Sequence, residues 1–227
     1  TDAEAGDKIR YYSAFTDLEE AQFIVDETKA LEREGWDLDE IAVLYRSNAQ
    51  SRVIEQSLFR SGIPYKIYGG LRFYERQEIK HALAYLRLAV NPDDDNALLR
   101  VINFPPRGIG ARTVENLQMA SNEQGITLWQ AACNAGAKAA KVAAFVRLIE
   151  ALRNQVGQLP LPEIIVGILK DSGLTEHYRT QKGDNQDRLD NLDELVNAAI
   201  EFKPEDSNFE ILPDNISNDP AFPILAF

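Results

Sequence analysis

The chain has 227 residues and is acidic, with 24 Lys and Arg residues, 36 Asp and Glu residues and a formal net charge of −12. Its hydrophobic content of 44% is sufficient for one large core or two smaller ones. No apolar run approaches the roughly 20 residues of a membrane span, and the first ten residues, TDAEAGDKIR, lack the apolar stretch of a signal peptide. We therefore expect no membrane partner. The lone cysteine, Cys133, excludes an intrachain disulfide and fits a reducing cytoplasm.

Basic residues are concentrated in the middle of the chain. Between Ala42 and Thr113 there are 11 Arg and Lys residues against 6 Asp and Glu residues, a local net charge of +5 that leaves −17 for the remainder. This asymmetry suits a chain that presents one basic face to phosphate groups. Solvated helix faces with intrahelical ion pairs would produce the same count, so charge alone leaves both interpretations open.

The first part of the chain alternates strand and helix patterns. Short apolar or alternating runs predict strands over residues 8–15, 41–45 and 63–70, and 3.6-residue periodicity predicts helices over residues 17–35 and 48–62. Strand–helix–strand–helix–strand predicts an α/β class with part of a parallel, RecA-like sheet. Such sheets bind ligands beyond the carboxyl ends of their strands, where residues 45–48 would lie.

From Gly69 onward the pattern is helical. Apolar residues recur at spacings of three and four, separated by Gly and Pro, which predicts an all-helical part over about residues 70–205. Gly69 and Gly70 are the predicted hinge, because glycines tolerate φ/ψ changes that other residues resist. The loop-rich end, which closes on ILAF, and the abrupt first strand suggest a piece of a larger protein.

Familiar catalytic motifs are missing from this sequence. It has no GxxxxGK[ST] phosphate loop, HExxH, CxxC or GxSxG, and its two histidines are far apart, so we predict neither a catalytic residue nor a metal site. The acidic triplet Asp93, Asp94 and Asp95 has no fourth ligand nearby. We expect it to end a helix or to form an acidic docking surface.

The segment RGIGART, residues 107–113, is here called the glycine turn. A Gly-x-Gly turn that enters a helix directs successive backbone N–H groups outward, and the helix dipole adds positive potential there. Thr113 offers a hydroxyl in the first turn, and Arg107 and Arg112 flank the glycines. Between two helix patterns this has the form of a helix–hairpin–helix that grips one nucleic-acid backbone. A tight interhelical turn explains the glycines equally well.

A second polar segment is YRSNAQSR, residues 45–52. Arg46 and Arg52 beside an aromatic residue would suit a single-stranded nucleic-acid backbone. The Ser, Asn and Gln side chains would also serve simply as caps for the following helix.

Four stretches carry a family resemblance in chain order. LYRSNAQSRVIEQSL, IPYKIYGGLRFYERQEIKHALAYLRLAVNPDDD, INFPPRGIGARTVENL and RLDNLDELV resemble the UvrD/PcrA/Rep group of superfamily 1A DNA helicases, and within it most closely the UvrD branch. The match runs from about residue 9 to residue 202. One departure is His81, where relatives carry an acidic residue.

The resemblance implies a fold and DNA contacts. Residues 1–68 would be the first part of the second RecA-like domain (2A), and residues 69–227 its helical insertion (2B), truncated at the C-terminal end. The residues similar to the family's duplex-gripping motif and to a further duplex contact are Arg107, Gly108, Ile109, Gly110, Arg112, Thr113 and Lys80. Arg46 and Asn48 resemble residues that line the single-strand groove.

The resemblance also implies a reaction and partners. The parent protein would unwind duplex DNA 3′→5′ with ATP and Mg²⁺, in the bacterial cytoplasm at the nucleoid. The family's ATPase motifs lie outside this segment, so we expect it to need no cofactor and to be inactive alone. Expected partners are a duplex–single-strand DNA junction, the remaining helicase domains and DNA-repair proteins. The alternative is a regulatory, protein-binding module that uses Asp93, Asp94, Asp95 and the acidic stretch 184–194.

Overall fold

The computed structural model describes residues 8–68, 70–136, 139–182 and 185–202. The α-helices in these ranges are α1 (Asp17–Glu34), α2 (Ser51–Arg60), α3 (Gln77–Val90), α4 (Asp95–Val101), α5 (Ala111–Gln124), α6 (Leu128–Gly136), α7 (Ala140–Arg153), α8 (Leu161–Asp171), α9 (Leu174–Thr180) and α10 (Gln186–Glu201). Three single 3₁₀ turns cover Leu38–Glu40, Asn48–Gln50 and Phe73–Glu75. No described helix has both the length and the apolar character to cross a bilayer. The chain divides into two compact units, Thr1–Arg72 and Phe73–Phe227.

The predicted RecA-like sheet is wrong. The described residues form no β-strand, and the segments 8–15, 41–45 and 63–68 have irregular backbones. The run at residues 41–45 is not buried between two layers, since Leu44 at its centre is 93% exposed. In its described residues the first unit therefore consists of two α-helices and two 3₁₀ turns joined by irregular segments, and the α/β assignment does not hold.

The physical reason lies in what a strand needs. A short apolar run predicts a buried parallel strand only if neighbouring strands accept and donate its backbone hydrogen bonds. The segment 8–15 instead packs against α1 through side chains. The Tyr12 ring stacks on Phe23 with centroids 4.2 Å apart, and the Arg10 guanidinium pairs with both oxygens of Glu27 at 2.7 Å. The sequence shows that these segments contain apolar residues, but it does not show whether a neighbouring strand pairs with their backbones.

The helices of the first unit form where periodicity predicted them. The Thr16 side chain caps α1 by accepting from the Glu19 N–H at 3.1 Å, and Gly35 ends the helix in the left-handed region with φ 101°. The two helices pack on each other around a small core of Val25, Leu58 and Ile63. This core orients the loop between α1 and α2.

The second unit is helical, as its pattern predicted. α3 is its central helix and packs against α4, α7, α8 and α10, so that Ile79, Tyr85 and Leu88 are fully buried. A buried polar chain ties α10 to the start of α3. Arg76 donates to Asn191 at 2.7 Å, and Asn191 donates to Glu78 at 2.7 Å. The pairing of these buried groups fixes the register between the two helices.

Candidate nucleic-acid interface

The glycine turn joins α4 to α5 and is held from its inner side by one residue. The Asn103 side-chain oxygen accepts the backbone N–H of Arg107 at 2.9 Å and that of Ile109 at 3.0 Å. The Ile109 side chain inserts into the core and is only 2% exposed. The turn is therefore anchored by an apolar side chain and by two backbone hydrogen bonds to a single amide oxygen.

Arg107 directs its guanidinium into the unit. It donates to the backbone carbonyls of Val101 at 3.3 Å, Pro105 at 2.9 Å and Ser172 at 2.7 Å. The guanidinium also lies 5.6 Å from the centroid of the Tyr85 ring. Arg107 therefore ties the turn to the end of α8, and its charge is satisfied within the protein.

The two glycines of the turn differ in what the fold requires of them. Gly108 has φ +71°, and a Cβ atom there would fall 2.4 Å from Lys141 Nζ. Gly110 has φ −81° and ψ 170°, which any residue adopts, and its Cβ would meet nothing within 4 Å. The fold thus requires glycine at 108 but not at 110, where its effect is to leave the approach to the helix start open.

The start of α5 carries free backbone donors. Among the described residues, the N–H groups of Gly110, Ala111 and Arg112 have no acceptor, whereas those of Thr113 and Val114 bond to the Gly110 carbonyl at 3.0 and 3.3 Å. Unpaired donors of this kind, added to the helix dipole, favour an anion. Gly110 supplies no capping side chain to occupy them.

Two exposed cations belong to the glycine turn or contact it. Arg112 is exposed and is part of the turn itself. Lys141, on α7, places Nζ 3.3 Å from the Gly108 carbonyl oxygen and is also exposed. The Thr113 hydroxyl makes no hydrogen bond within the described ranges. Sequence reasoning missed Lys141, because its position beside residue 108 follows from how α7 packs and not from any local spacing.

Lys80, the other predicted duplex contact, is separate from the turn. It is exposed on α3, and among the described residues it makes no hydrogen bond or ion pair with the glycine turn. Its neighbour His81 is buried, with its ring 3.8 Å from that of Phe104 and Nδ1 3.3 Å from the Tyr178 hydroxyl. Burial lowers the pKa of His81 to about 4. His81 is therefore a neutral imidazole packed inside the second unit.

The predicted single-strand residues lie in the first unit. Arg46 and Asn48 are both exposed, as a contact role requires. The capping interpretation also applies to their neighbours, because Gln50 Oε1 accepts the N–H groups of Arg46 at 3.1 Å and Ser47 at 3.0 Å. Arg52 is 3% exposed, so it belongs to the packing of α2 and not to a binding surface.

The remaining sequence-predicted positions are structural or lie outside the described residues. Asp94 caps α4 by accepting the Ala97 N–H at 2.9 Å. Within the described ranges no group of three His, Cys, Asp or Glu side chains is placed to hold a metal ion. Gly70 is exposed, whereas Gly69 and Asp184 lie outside the described residues, as does the tail after Phe202. The hinge stays a prediction.

Comparison with known proteins identifies the family. Residues 1–216 match the UvrD-like helicase C-terminal domain. DNA helicase II of Escherichia coli is 44% identical over 221 residues, which cover 94% of this chain and 31% of that protein. DNA helicase II of Haemophilus influenzae is 47% identical over 216 residues, covering 91% and 30%. The ATP-dependent DNA helicase PcrA of Bacillus subtilis is 38% identical over 211 residues, covering 89% and 29%.

The chain thus spans just under a third of the length of these relatives. The family match covers nearly all of it, including both units. The chain belongs to the family of UvrD-like helicase C-terminal domains.

Proposed function

We propose that this chain is a DNA-binding part of an ATP-dependent 3′→5′ DNA helicase, and that its second unit grips the duplex backbone at the unwinding junction. The observation that carries the proposal is Gly110. The fold has no need of glycine there, yet its lack of a side chain keeps three unpaired N–H groups accessible. Family membership supports the helicase assignment, and ATP and Mg²⁺ would act in the parent protein.

The proposed contact is a phosphate group held at the start of α5. Its oxygens accept from the N–H groups of Gly110, Ala111 and Arg112, and the Thr113 hydroxyl donates to the same group. The Arg112 and Lys141 side chains add positive charge on either side. Contacts of this kind carry no information on base sequence, so binding is insensitive to sequence and weakened by salt.

The other predicted DNA-binding residues have different proposed roles. Arg107 and Ile109 position the turn, because the guanidinium is bonded to carbonyls and the isoleucine is buried. Gly108 permits the left-handed backbone that brings Lys141 alongside. Lys80 is proposed to contact the duplex at a second point on α3, and Arg46 and Asn48 to contact the single strand from the first unit.

The sharpest test places a carboxylate where the phosphate would bind. Gly110→Asp supplies an N-cap, which favours the helix, and its charge opposes DNA. We expect a melting temperature no lower than wild type and an affinity for a duplex–single-strand junction reduced at least tenfold. Fluorescence anisotropy at low salt measures the binding, and thermal unfolding measures the stability.

Two control variants distinguish the effect of the added charge from that of the side-chain shape and of its position in the chain. Gly110→Asn has nearly the same shape without the charge, and we expect an intermediate loss of affinity. Asn185→Asp adds the same charge at the start of α10, and we expect it to leave binding nearly unchanged. If Gly110→Asp binds the junction as wild type does while remaining folded, the grip is not at this turn, and the protein-binding alternative takes its place.

A further inference from the structure

Aromatic and basic residues alternate in the last segment of the first unit. The stretch YKIYGGLR, residues 65–72, contains two tyrosines, one lysine, one arginine and no acidic residue. We call Tyr65, Lys66, Tyr68 and Arg72 the aromatic–basic patch. Each cation of the patch makes a cation–π contact with one of its tyrosine rings. Lys66 Nζ is 5.0 Å from the Tyr68 ring centroid, and the Arg72 guanidinium is 5.3 Å from that of Tyr65.

Tyr68 is displayed to solvent. The residue is 83% exposed, although burying an aromatic ring is favourable. With Lys66 beside the ring, most of its surface is still accessible. An exposed ring next to a cation offers both parts of a nucleotide contact, a surface for the base and a charge for the phosphate.

The patch shares a cleft with the predicted single-strand residues. A cleft of about 750 Å³ in the first unit is lined by Tyr65, Lys66 and Tyr68 together with Tyr45 and Asn48. Acidic groups also reach it, and one of them, Glu55, lies 3.5 Å from the Tyr65 hydroxyl as an acceptor. That contact orients Tyr65. Lys66 lies beside Tyr68, the exposed tyrosine of the cleft.

We propose that the aromatic–basic patch binds single-stranded nucleic acid, with a base stacked on Tyr68 and phosphates on Lys66 and Arg72. The proposal rests on the proposed DNA-binding function and extends it to residues that the sequence did not single out. Stacking requires an accessible base face, which a duplex buries along its length, so an unpaired strand is the ligand that this chemistry favours. Contact through ring faces and phosphates would tolerate any base sequence.

The first experiment compares two ligands of equal charge. Wild-type protein is titrated at low salt with oligothymidine and with an abasic oligonucleotide of the same length, which keeps the phosphates and lacks the bases. We expect oligothymidine to bind about 5- to 140-fold tighter, the range that one stacked base provides. Tyr68→Ala should remove this preference, and Tyr68→Phe should keep it.

The control is another exposed aromatic residue of the same unit. Phe59, on α2, is 69% exposed, and Phe59→Ala should leave the preference for oligothymidine intact. The variant Tyr68→Trp adds a direct signal, since stacking should quench the indole emission with oligothymidine but not with the abasic strand. Retention of the preference in Tyr68→Ala, or no quenching in Tyr68→Trp, would overturn the stacking role.

The proposed phosphate contacts of Lys66 and Arg72 are tested by the salt dependence of the affinity. Replacing both Lys66 and Arg72 by Gln should weaken both oligonucleotides alike and flatten the logarithmic salt dependence by about 1.4, or 0.7 for each lost cation on a single strand. An unchanged slope would contradict the assignment of these two cations. Gly110→Asp in the second unit should leave the oligothymidine preference intact, so failure of this proposal and failure of the duplex grip are distinguishable.

Discussion

Gly108 and Gly110 are two positions apart, yet the fold needs only the first of them. Gly108 adopts a left-handed backbone beneath the Lys141 ammonium, whereas Gly110 is extended and faces open space. A Gly-x-Gly pattern in a sequence cannot distinguish these cases. The difference separates a glycine that makes the turn from one that leaves room for a ligand.

Alanine substitution tests this difference. Gly108→Ala should lower the free energy of unfolding by about 1–2 kcal/mol, the cost of a left-handed alanine, with a further penalty because Lys141 must move. Gly110→Ala should change stability by less than about 0.5 kcal/mol, since its φ and its surroundings already suit a side chain. Urea unfolding of both variants beside wild type measures this, and equal losses would contradict the distinct roles.

At the scale of elements, one aromatic stack joins α3, α9 and the segment before the glycine turn. The Phe104 ring lies 3.8 Å from that of His81 on α3 and 4.8 Å from that of His177 on α9. His81 also faces the charges of Arg100 on α4 and Arg188 on α10, which add to burial in lowering its pKa to about 4. A proton on His81 would place a cation among cations inside this stack.

The stack should therefore weaken in acid. Because the folded pKa of His81 lies below its ordinary value of 6.5, the unfolded chain binds the proton first as pH falls, and stability is lost from about pH 6.5 down to about pH 4. Between pH 7 and pH 5 this amounts to about 2 kcal/mol. Wild type should lose that much more free energy of unfolding than His81→Gln, as measured by urea unfolding at both values. Parallel losses in the two proteins would show that His81 does not titrate in this range.

At the scale of the whole molecule, the proposed DNA binding must overcome a net charge of −12. Not every arginine of the chain is available to a phosphate group, because the Arg107 guanidinium is bonded inward and Arg52, in the first unit, is buried. In the proposed contact, the exposed cations of the turn and its neighbour, chiefly Arg112 and Lys141, therefore determine the attraction for a phosphate group. Affinity should be modest and should fall steeply with salt.

Salt dependence identifies the cations that take part. Lys141→Gln and Arg112→Gln should each weaken junction binding and flatten the logarithmic salt slope by about 0.9. Arg33→Gln makes the same change of charge on the exposed end of α1, in the first unit, and should leave the slope unaltered. Anisotropy titrations at several salt concentrations give the slopes. Identical behaviour of all three variants would mean that only overall charge matters.

The sequence predicted part of this structure for identifiable reasons. Helix patterns located α1 and the helices of the second unit, because the spacing of apolar residues is a local signal. The glycine turn was recognisable because its donors, hydroxyl and flanking arginines are contiguous in the chain. Each of these features depends on a window of a few residues.

The errors concern features that depend on distant partners. The run at residues 41–45 has the composition of a buried strand, but no neighbouring strand pairs with it among the described residues. The inward direction of Arg107 depends on the Ser172 carbonyl, and the position of Lys141 depends on the packing of α7. No local window contains either of these contacts.

The two hydrogen bonds to the Asn103 side chain also bear on the kinetics of association. The inner N–H groups of the turn are already bonded and Ile109 is already buried in the core, so the proposed contact with DNA requires no further ordering of the turn. Encounter should then be governed by diffusion and by the local field, with no slow rearrangement following it. Variants of this turn should therefore differ in affinity mainly through their dissociation rate constants, and their association rate constants should be similar.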